Sequence, residues 1–95
     1  MRKIYRVEYS KFAAKQIERL PSVIKENVFL WKDVVERIGL LEARKNKSYH
    51  DEPLQGQRLG QRSIRLNKSY RLFYNLSEHS MVVVVGVIEV NKHGY

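Results

Sequence analysis

Gln61-Arg62-Ser63-Ile64-Arg65-Leu66-Asn67-Lys68-Ser69-Tyr70-Arg71-Leu72-Phe73-Tyr74 decides how this chain is read. Two of its segments are apolar at every second residue, with arginine among the intervening positions. A polar Asn67-Lys68-Ser69 lies between them. Alternation at period two predicts half-buried antiparallel strands, and the short polar break predicts the hairpin connection. Ile64 and Leu66 are expected to face one way, with Ser63 and Arg65 facing the other. Tyr70, Leu72 and Tyr74 divide from Arg71 and Phe73 in the same manner. A sheet that aims several guanidinium groups in one direction is suited to an anion.

Working outward, Ile4-Tyr5-Arg6-Val7-Glu8-Tyr9 alternates and is rich in strand formers, which predicts a first strand. Ser10 is placed to cap a helix carrying Phe12, Ala13, Ile17 and Leu20, and Pro21 ends it. Ser22 is read as a second cap. From Val23 to Ile38 the residues Val23, Ile24, Val28, Leu30, Trp31, Val34, Val35 and Ile38 recur at helical spacing, with Trp31 expected in the core. Gly39 is expected to break this helix, and Leu40-Leu41-Glu42-Ala43-Arg44 to add one more turn. Residues 45–60 show no period and hold Pro53, Gly56 and Gly60, which predicts a surface loop. After the hairpin, a turn is expected at Asn75-Leu76-Ser77-Glu78-His79-Ser80. The valine-rich Met81 to Val90 is apolar on both alternations, as in an interior strand. Asn91-Lys92-His93-Gly94-Tyr95 reads as a polar tail. The order β-α-α-β-β-β predicts an α+β fold. It is a small, antiparallel-dominated, four-stranded sheet with an N-terminal helix hairpin packed on one face, in a single domain spanning residues 1–95.

The 95 residues include 18 Lys and Arg against 10 Asp and Glu, a formal charge of +8. A small basic domain meets nucleic acid, an acidic protein or an anionic surface. Cysteine is absent, which excludes disulfides, thiolate metal sites and cysteine nucleophiles. Arg6, Glu8 and Lys11 interrupt the apolar run that a leader after Met1-Arg2-Lys3 requires, and the run Met81 to Ile88 is too short to span a bilayer. A soluble, cytoplasmic protein without membrane contact is expected.

The order of elements resembles the RelE/ParE toxin superfamily of type II toxin–antitoxin systems. So do Ser63-Ile64-Arg65-Leu66, Tyr70-Arg71-Leu72-Phe73-Tyr74, the valine-rich strand and the terminal Lys92-His93-Gly94-Tyr95. The likeness covers almost the whole chain and is greatest to the RelE/HigB branch of mRNA interferases. The resemblance implies a RelE-like toxin that cuts messenger RNA in the ribosomal A site, against ribosomal RNA, and is neutralised by a cognate antitoxin protein. It implies no cofactor and no metal: the RNA 2′-OH attacks its own phosphate. On that resemblance Arg71 matches an arginine that contacts the scissile phosphate, and Arg65 matches a basic residue of the preceding strand. His93 falls where relatives carry arginine or histidine. Tyr95 resembles a terminal aromatic residue that stacks on a base or assists proton transfer. Ser63 departs from the pattern, standing where the branch has a second basic residue.

Arginine suits phosphate because its planar fork matches phosphate oxygens and stays charged. Histidine suits proton transfer because its ordinary pKa lies near neutrality. Arg44, Lys45, Lys47, Arg58, Arg62, Lys68 and Lys92 form the expected phosphate-attracting surface. The plainer alternative pairs Arg65 and Arg71 with Glu89 or Glu52 as ordinary strand residues. His79 is expected in solvent. His50, Asp51 and Glu52 are adjacent in sequence, a spacing that seldom converges on a metal from a loop, and His50 or Glu52 is a further candidate base. Two other functions remain open: a ParE-like inhibitor of DNA gyrase that cuts nothing, and an RNA-binding relative without catalysis.

Overall fold

A computed structural model describes residues 3–92. The first strand, β1 (Ile4–Tyr9), leads directly into α1 (Lys11–Glu18). Ser10 caps α1 as expected: its side-chain oxygen accepts from the Ala13 N–H at 3.0 Å, satisfying one of the amides that a helix start leaves unpaired. The next helix, α2, spans Ser22–Ile38. Pro21, not Ser22, takes its capping position, and no side chain caps it; proline lacks an N–H and its fixed φ suits a helix entry. Gly39 then separates α2 from the short α3 (Leu40–Arg44). It adopts φ 93°, and a Cβ there would lie 3.1 Å from Tyr5 Cε2, so both backbone and space call for glycine.

Five strands form one sheet, ordered β1-β5-β4-β3-β2. They are β2 (Glu52–Pro53), β3 (Arg62–Arg65), β4 (Tyr70–His79) and β5 (Val82–Lys92), with β1 beside β5. The β1–β5 pair is parallel and the other pairs are antiparallel. The helices supply the crossover that a parallel pair requires. Four of the strands are the expected ones. The fifth, β2, lies inside the segment read as a loop, because two residues are too few to display a period. Its Pro53 is tolerated because β2 is the outermost strand.

The helices bury Ala13, Ile17, Ile24, Val28, Trp31, Val35, Leu40 and Ala43 in one core with Val7, Ile64, Leu66, Leu72, Tyr74, Val85, Val87 and Val90. Trp31 meets Tyr74 with ring centroids 5.5 Å apart. In α2 the buried stripe is Ile24, Val28, Trp31 and Val35, at alternating four- and three-residue steps. Val23, Leu30 and Ile38, also apolar, fall off that stripe and are exposed.

Two departures from the expected strands concern β4 and β5. The turn expected over Asn75–Ser80 is strand as far as His79, which pairs with Val82. Asn75 lies opposite Gly86, where a Cβ would come within 2.8 Å of Asn75 Oδ1; the missing side chain lets a polar residue stay in register. Asn91 and Lys92, read as tail, complete β5. A bulge lies between the pairs Phe73↔Glu89 and Tyr74↔Val87, leaving Ile88 as the extra residue. Strict alternation after Val83, Val85 and Val87 would drive Glu89 into the core. The bulge shifts the phase by one, so Val90 is buried and Glu89 turns out. Helix α1 completes it: Gln16 Oε1 accepts from the Val90 N–H at 2.6 Å, and Ser10 Oγ donates to the Ile88 carbonyl at 3.3 Å. Among the described residues, no helix is long and apolar enough to cross a membrane.

Candidate functional site

The hairpin turn fixes which side chains share a face. Asn67 Oδ1 accepts from the amides of Ser69 (2.7 Å) and Tyr70 (2.9 Å), the side-chain turn that asparagine favours. The Leu66 N–H donates to the Tyr70 carbonyl, and Asn27 Nδ2 on α2 donates to the Leu66 carbonyl, each at 2.9 Å. This anchored turn sets the register Ile64↔Leu72 and Arg65↔Arg71. Partners in a register share a face, so Arg65, Arg71 and Asn91 form one row on the side away from the helices. Ser63, Phe73 and Glu89 form the next row, with Glu52 paired to Ser63 at its edge.

Directly opposed like charges disfavour a strand pair, and here the two guanidinium groups are cross-strand neighbours. Arg65 is exposed. Ion pairs among the described residues engage Arg37, Arg44, Arg58, Arg62 and Arg71, not Arg65. Arg71 Nη2 stands 3.8 Å from Glu52 Oε1, beyond hydrogen-bonding range. Glu52 Oε2 is in turn 3.5 Å from His50 Nε2. The edge of this face therefore carries an imidazole, a carboxylate and two closely placed cations in succession. Beside them, Arg58 lies 4.1 Å above the Phe73 ring, donates to Gln61 Oε1 at 2.8 Å and bonds Glu89. Glu89 also accepts from Asn91 Nδ2. Arg58, Phe73, Glu89 and Asn91 thus brace the row that holds Arg71.

Asp51 goes the other way. Its side chain is 2% exposed and accepts from Arg62 Nε at 2.7 Å and the Tyr74 hydroxyl at 2.6 Å, with Arg44 Nε 3.8 Å away. Burial by itself would lower the Arg62 pKa, but the hydrogen bond and charge of Asp51 raise it, so the ion pair persists. Burial and Asp51 both push the Tyr74 phenol well above its ordinary range. Arg62 and Arg44, expected on a phosphate-attracting surface, are instead held on the helix side by this carboxylate. Position in the pleat is the reason, since Arg62 pairs with the buried Tyr74.

Of the other cations, Lys45 pairs with Glu42 at 2.7 Å. Lys47 and Lys68 are exposed, with Lys68 in the hairpin turn. Lys92 is exposed at the end of β5, in register with Tyr70. His93 and Tyr95 lie outside the described residues. The structure keeps Glu52, already a candidate base, beside Arg71 and adds Phe73, Asn91 and Asp51 to the site's support. The signal for Asn91 and Asp51 in the sequence is only a polar or acidic residue within or beside a strand, which sequence spacing cannot orient. His50, Asp51 and Glu52 do not converge: Asp51 turns to the helices and Glu52 to the open face. Among the described residues there is no cluster of metal-ligating side chains.

No family model matches the chain, and no curated protein matches it in sequence. Solved structures do. YafQ from E. coli strain BL21(DE3) superposes with a TM-score of 0.73 at 17% identity, over 93% of this chain and 92% of that one. A YoeB/ParE toxin from Agrobacterium tumefaciens gives 0.67 at 19% identity, over 94% and 99%. The toxin–antitoxin complex RelBE2 from Mycobacterium tuberculosis gives 0.66 at 22% identity, over 94% and 98%. These superpositions cover nearly the whole of both chains in each case: this chain has the fold of these toxins.

Proposed function

We propose that the protein is the toxin of a type II toxin–antitoxin system and a ribosome-dependent mRNA endonuclease. The observation that carries this reading is the Arg65–Arg71 row, a pair of cross-strand arginines on the face away from the helices beside Glu52 and His50. A phosphodiester passing over this row receives two charged forks where negative charge grows on its oxygens. One such preorganised donor is worth roughly 3 kcal/mol in the transition state. In the reaction the 2′-oxygen bonds to the neighbouring phosphorus and the bond from phosphorus to the 5′-oxygen breaks. One proton leaves the 2′-OH and one reaches the departing 5′-oxygen.

Glu52 is the proposed acceptor of the first proton, with His50 beside it. Its 3.8 Å approach to Arg71 puts a carboxylate next to the phosphate position. His93 is the proposed donor of the second proton, and Tyr95 the proposed stacking partner for a base. The last described residue, Lys92, follows directly on the Asn91↔Arg71 pair. Lys68 and Lys47, exposed near the turn and the loop, draw the RNA in. An antitoxin protein, by analogy with the complex among the structural neighbours, is the proposed partner, and the cytoplasm the place of action.

Inducible expression with mapping of transcript 5′ ends tests the proposal. Cuts in register with codons are expected, lost in Arg71→Ala and His93→Ala and weakened in Glu52→Gln. Toxicity with intact transcripts and altered DNA topology would overturn it in favour of gyrase inhibition. A harmless wild-type protein that still binds RNA would favour a relative without catalysis.

A further inference from the structure

Next to Arg65, where the hairpin turn meets α2 and residues 48–49, the structure contains a cleft of about 350 Å³, within the size range of small-ligand sites. Its walls include Asn27, Leu30, Tyr49, Arg65, Asn67 and Lys68. Tyr49 is half-buried against the core and gives the cleft an aromatic wall; Leu30 is exposed and apolar. The two amides are already oriented by the fold. Asn67 Oδ1 is occupied by the Ser69 and Tyr70 amides, which leaves Nδ2 to donate. Asn27 Nδ2 gives one of its two N–H groups to the Leu66 carbonyl, which fixes the amide and leaves Oδ1 to accept. Lys68 and Arg65 engage no carboxylate among the described residues. The cleft therefore combines an aromatic surface, amide donors and an amide acceptor whose identities the fold sets, and two cations, one of which belongs to the phosphate row.

We propose that this cleft takes the base of a nucleotide next to the phosphate held by Arg65 and Arg71, which makes Tyr49, Asn27 and Asn67 specificity-determining residues. A flat aromatic ring with hydrogen-bonding edges and an attached phosphate matches each wall in turn. An acidic peptide would use the cations and leave the aromatic wall and the paired amides without a function. Every base offers an aromatic face to stack, and the donor–acceptor pair selects among base edges. The inference rests on the RNA-cleaving reading of the adjacent row, so its test has a part that needs no cleavage.

The first part titrates the four nucleoside 5′-monophosphates, and inorganic phosphate as control, into the full chain while NMR follows Tyr49 and the Asn27 and Asn67 amides. The nucleotides are expected to move these signals to different extents for different bases, while phosphate leaves the Tyr49 ring unmoved. Tyr49→Leu is expected to weaken nucleotide binding by about fivefold or more. Lys68 is exposed, so Lys68→Gln keeps the fold; it should lower the salt slope of short single-stranded RNA binding by about 0.7. Equal responses to phosphate and to all four nucleotides would overturn the inference. In the second part, the base preference around mapped cuts should flatten in Tyr49→Leu while cutting persists. Unchanged preference in a folded, cutting variant overturns the inference and leaves the nuclease reading intact. Base-dependent binding by a wild-type protein that cuts nothing removes the nuclease reading and upholds the cleft as a nucleotide site.

Discussion

Arg62 and Arg65 sit on the same strand and meet opposite fates. Arg62 faces the helices, with its guanidinium 2.7 Å from a carboxylate that is 2% exposed. Arg65 faces away, beside Arg71, with no carboxylate in reach among the described residues. The first arrangement is a finished ion pair whose partners satisfy one another. The second is an unfinished cluster in which two cations are neighbours and a single carboxylate, Glu52, stands 3.8 Å from one of them. The strand pleat alone separates them, and it divides the arginines of this basic chain into a structural set and a set open to a ligand.

The strongest way to break the comparison is Asp51→Ala. It leaves Arg62 and the Tyr74 hydroxyl without their shared acceptor and Arg44 without its neighbouring countercharge, and removing one partner of a buried pair costs about 3–5 kcal/mol. Urea denaturation should show that loss, and a change below 1 kcal/mol would mean that the helix-side set is not structural. Arg71→Ala should do the reverse. Its side chain is 21% exposed, so stability is expected to fall by about 1 kcal/mol, well short of the Asp51 effect. RNA cleavage by the folded protein is expected to fall by about 100-fold, measured as cut product against time.

The tyrosines sharpen the comparison through pH. Tyr74, buried against Asp51, has its pKa raised, and burial together with the nearby Glu36 raises Tyr9 to about 12. In the unfolded chain both phenols ionise near 10. Their contribution to stability is therefore complete below about pH 10 and falls as pH rises through the window up to the folded values. Ultraviolet titration should show that Tyr9 and Tyr74 resist ionisation until the protein unfolds at alkaline pH. Replacing Tyr74 by Phe should remove one of these late transitions. The smallest expected effect is that of Arg65→Ala. Relieving the cross-strand repulsion should raise stability by about 0.2–1 kcal/mol, read as a small increase in Tm, while RNA affinity declines.

The sequence was most legible where a period repeats. Alternation in the hairpin placed Ile64, Leu66, Leu72 and Tyr74 on the buried side and Arg65 and Arg71 on the other. The Asn67 turn and the Ser10 cap were readable because each uses a local side-chain bond. Of the candidate site, the two facing arginines were legible, and Glu52 was legible as a candidate base and partner, but its place beside Arg71 and not Arg65 was not. Arg44 was misjudged because a basic residue just before a loop looks solvated until a partner arrives from elsewhere. That partner, Asp51, has no periodic neighbours to reveal that it turns inward.

The amino-acid sequence by itself determined the four longer strands, the helices, their order and the common face of Arg65 and Arg71, because each follows from a period or a contact within a few residues along the chain. Tertiary structure alone decided three matters. The bulge at Ile88 changed the phase of β5 so that Asn91 joined Arg71, and it is held by Gln16 and Ser10 from a distant helix. The two-residue β2 brought Glu52 to Arg71 and sent Asp51 to Arg62. The closure of the hairpin turn on α2 through Asn27 opened the cleft beside Arg65. Each depends on groups remote in sequence meeting in space, and their geometry exists only once the sheet and helices have packed.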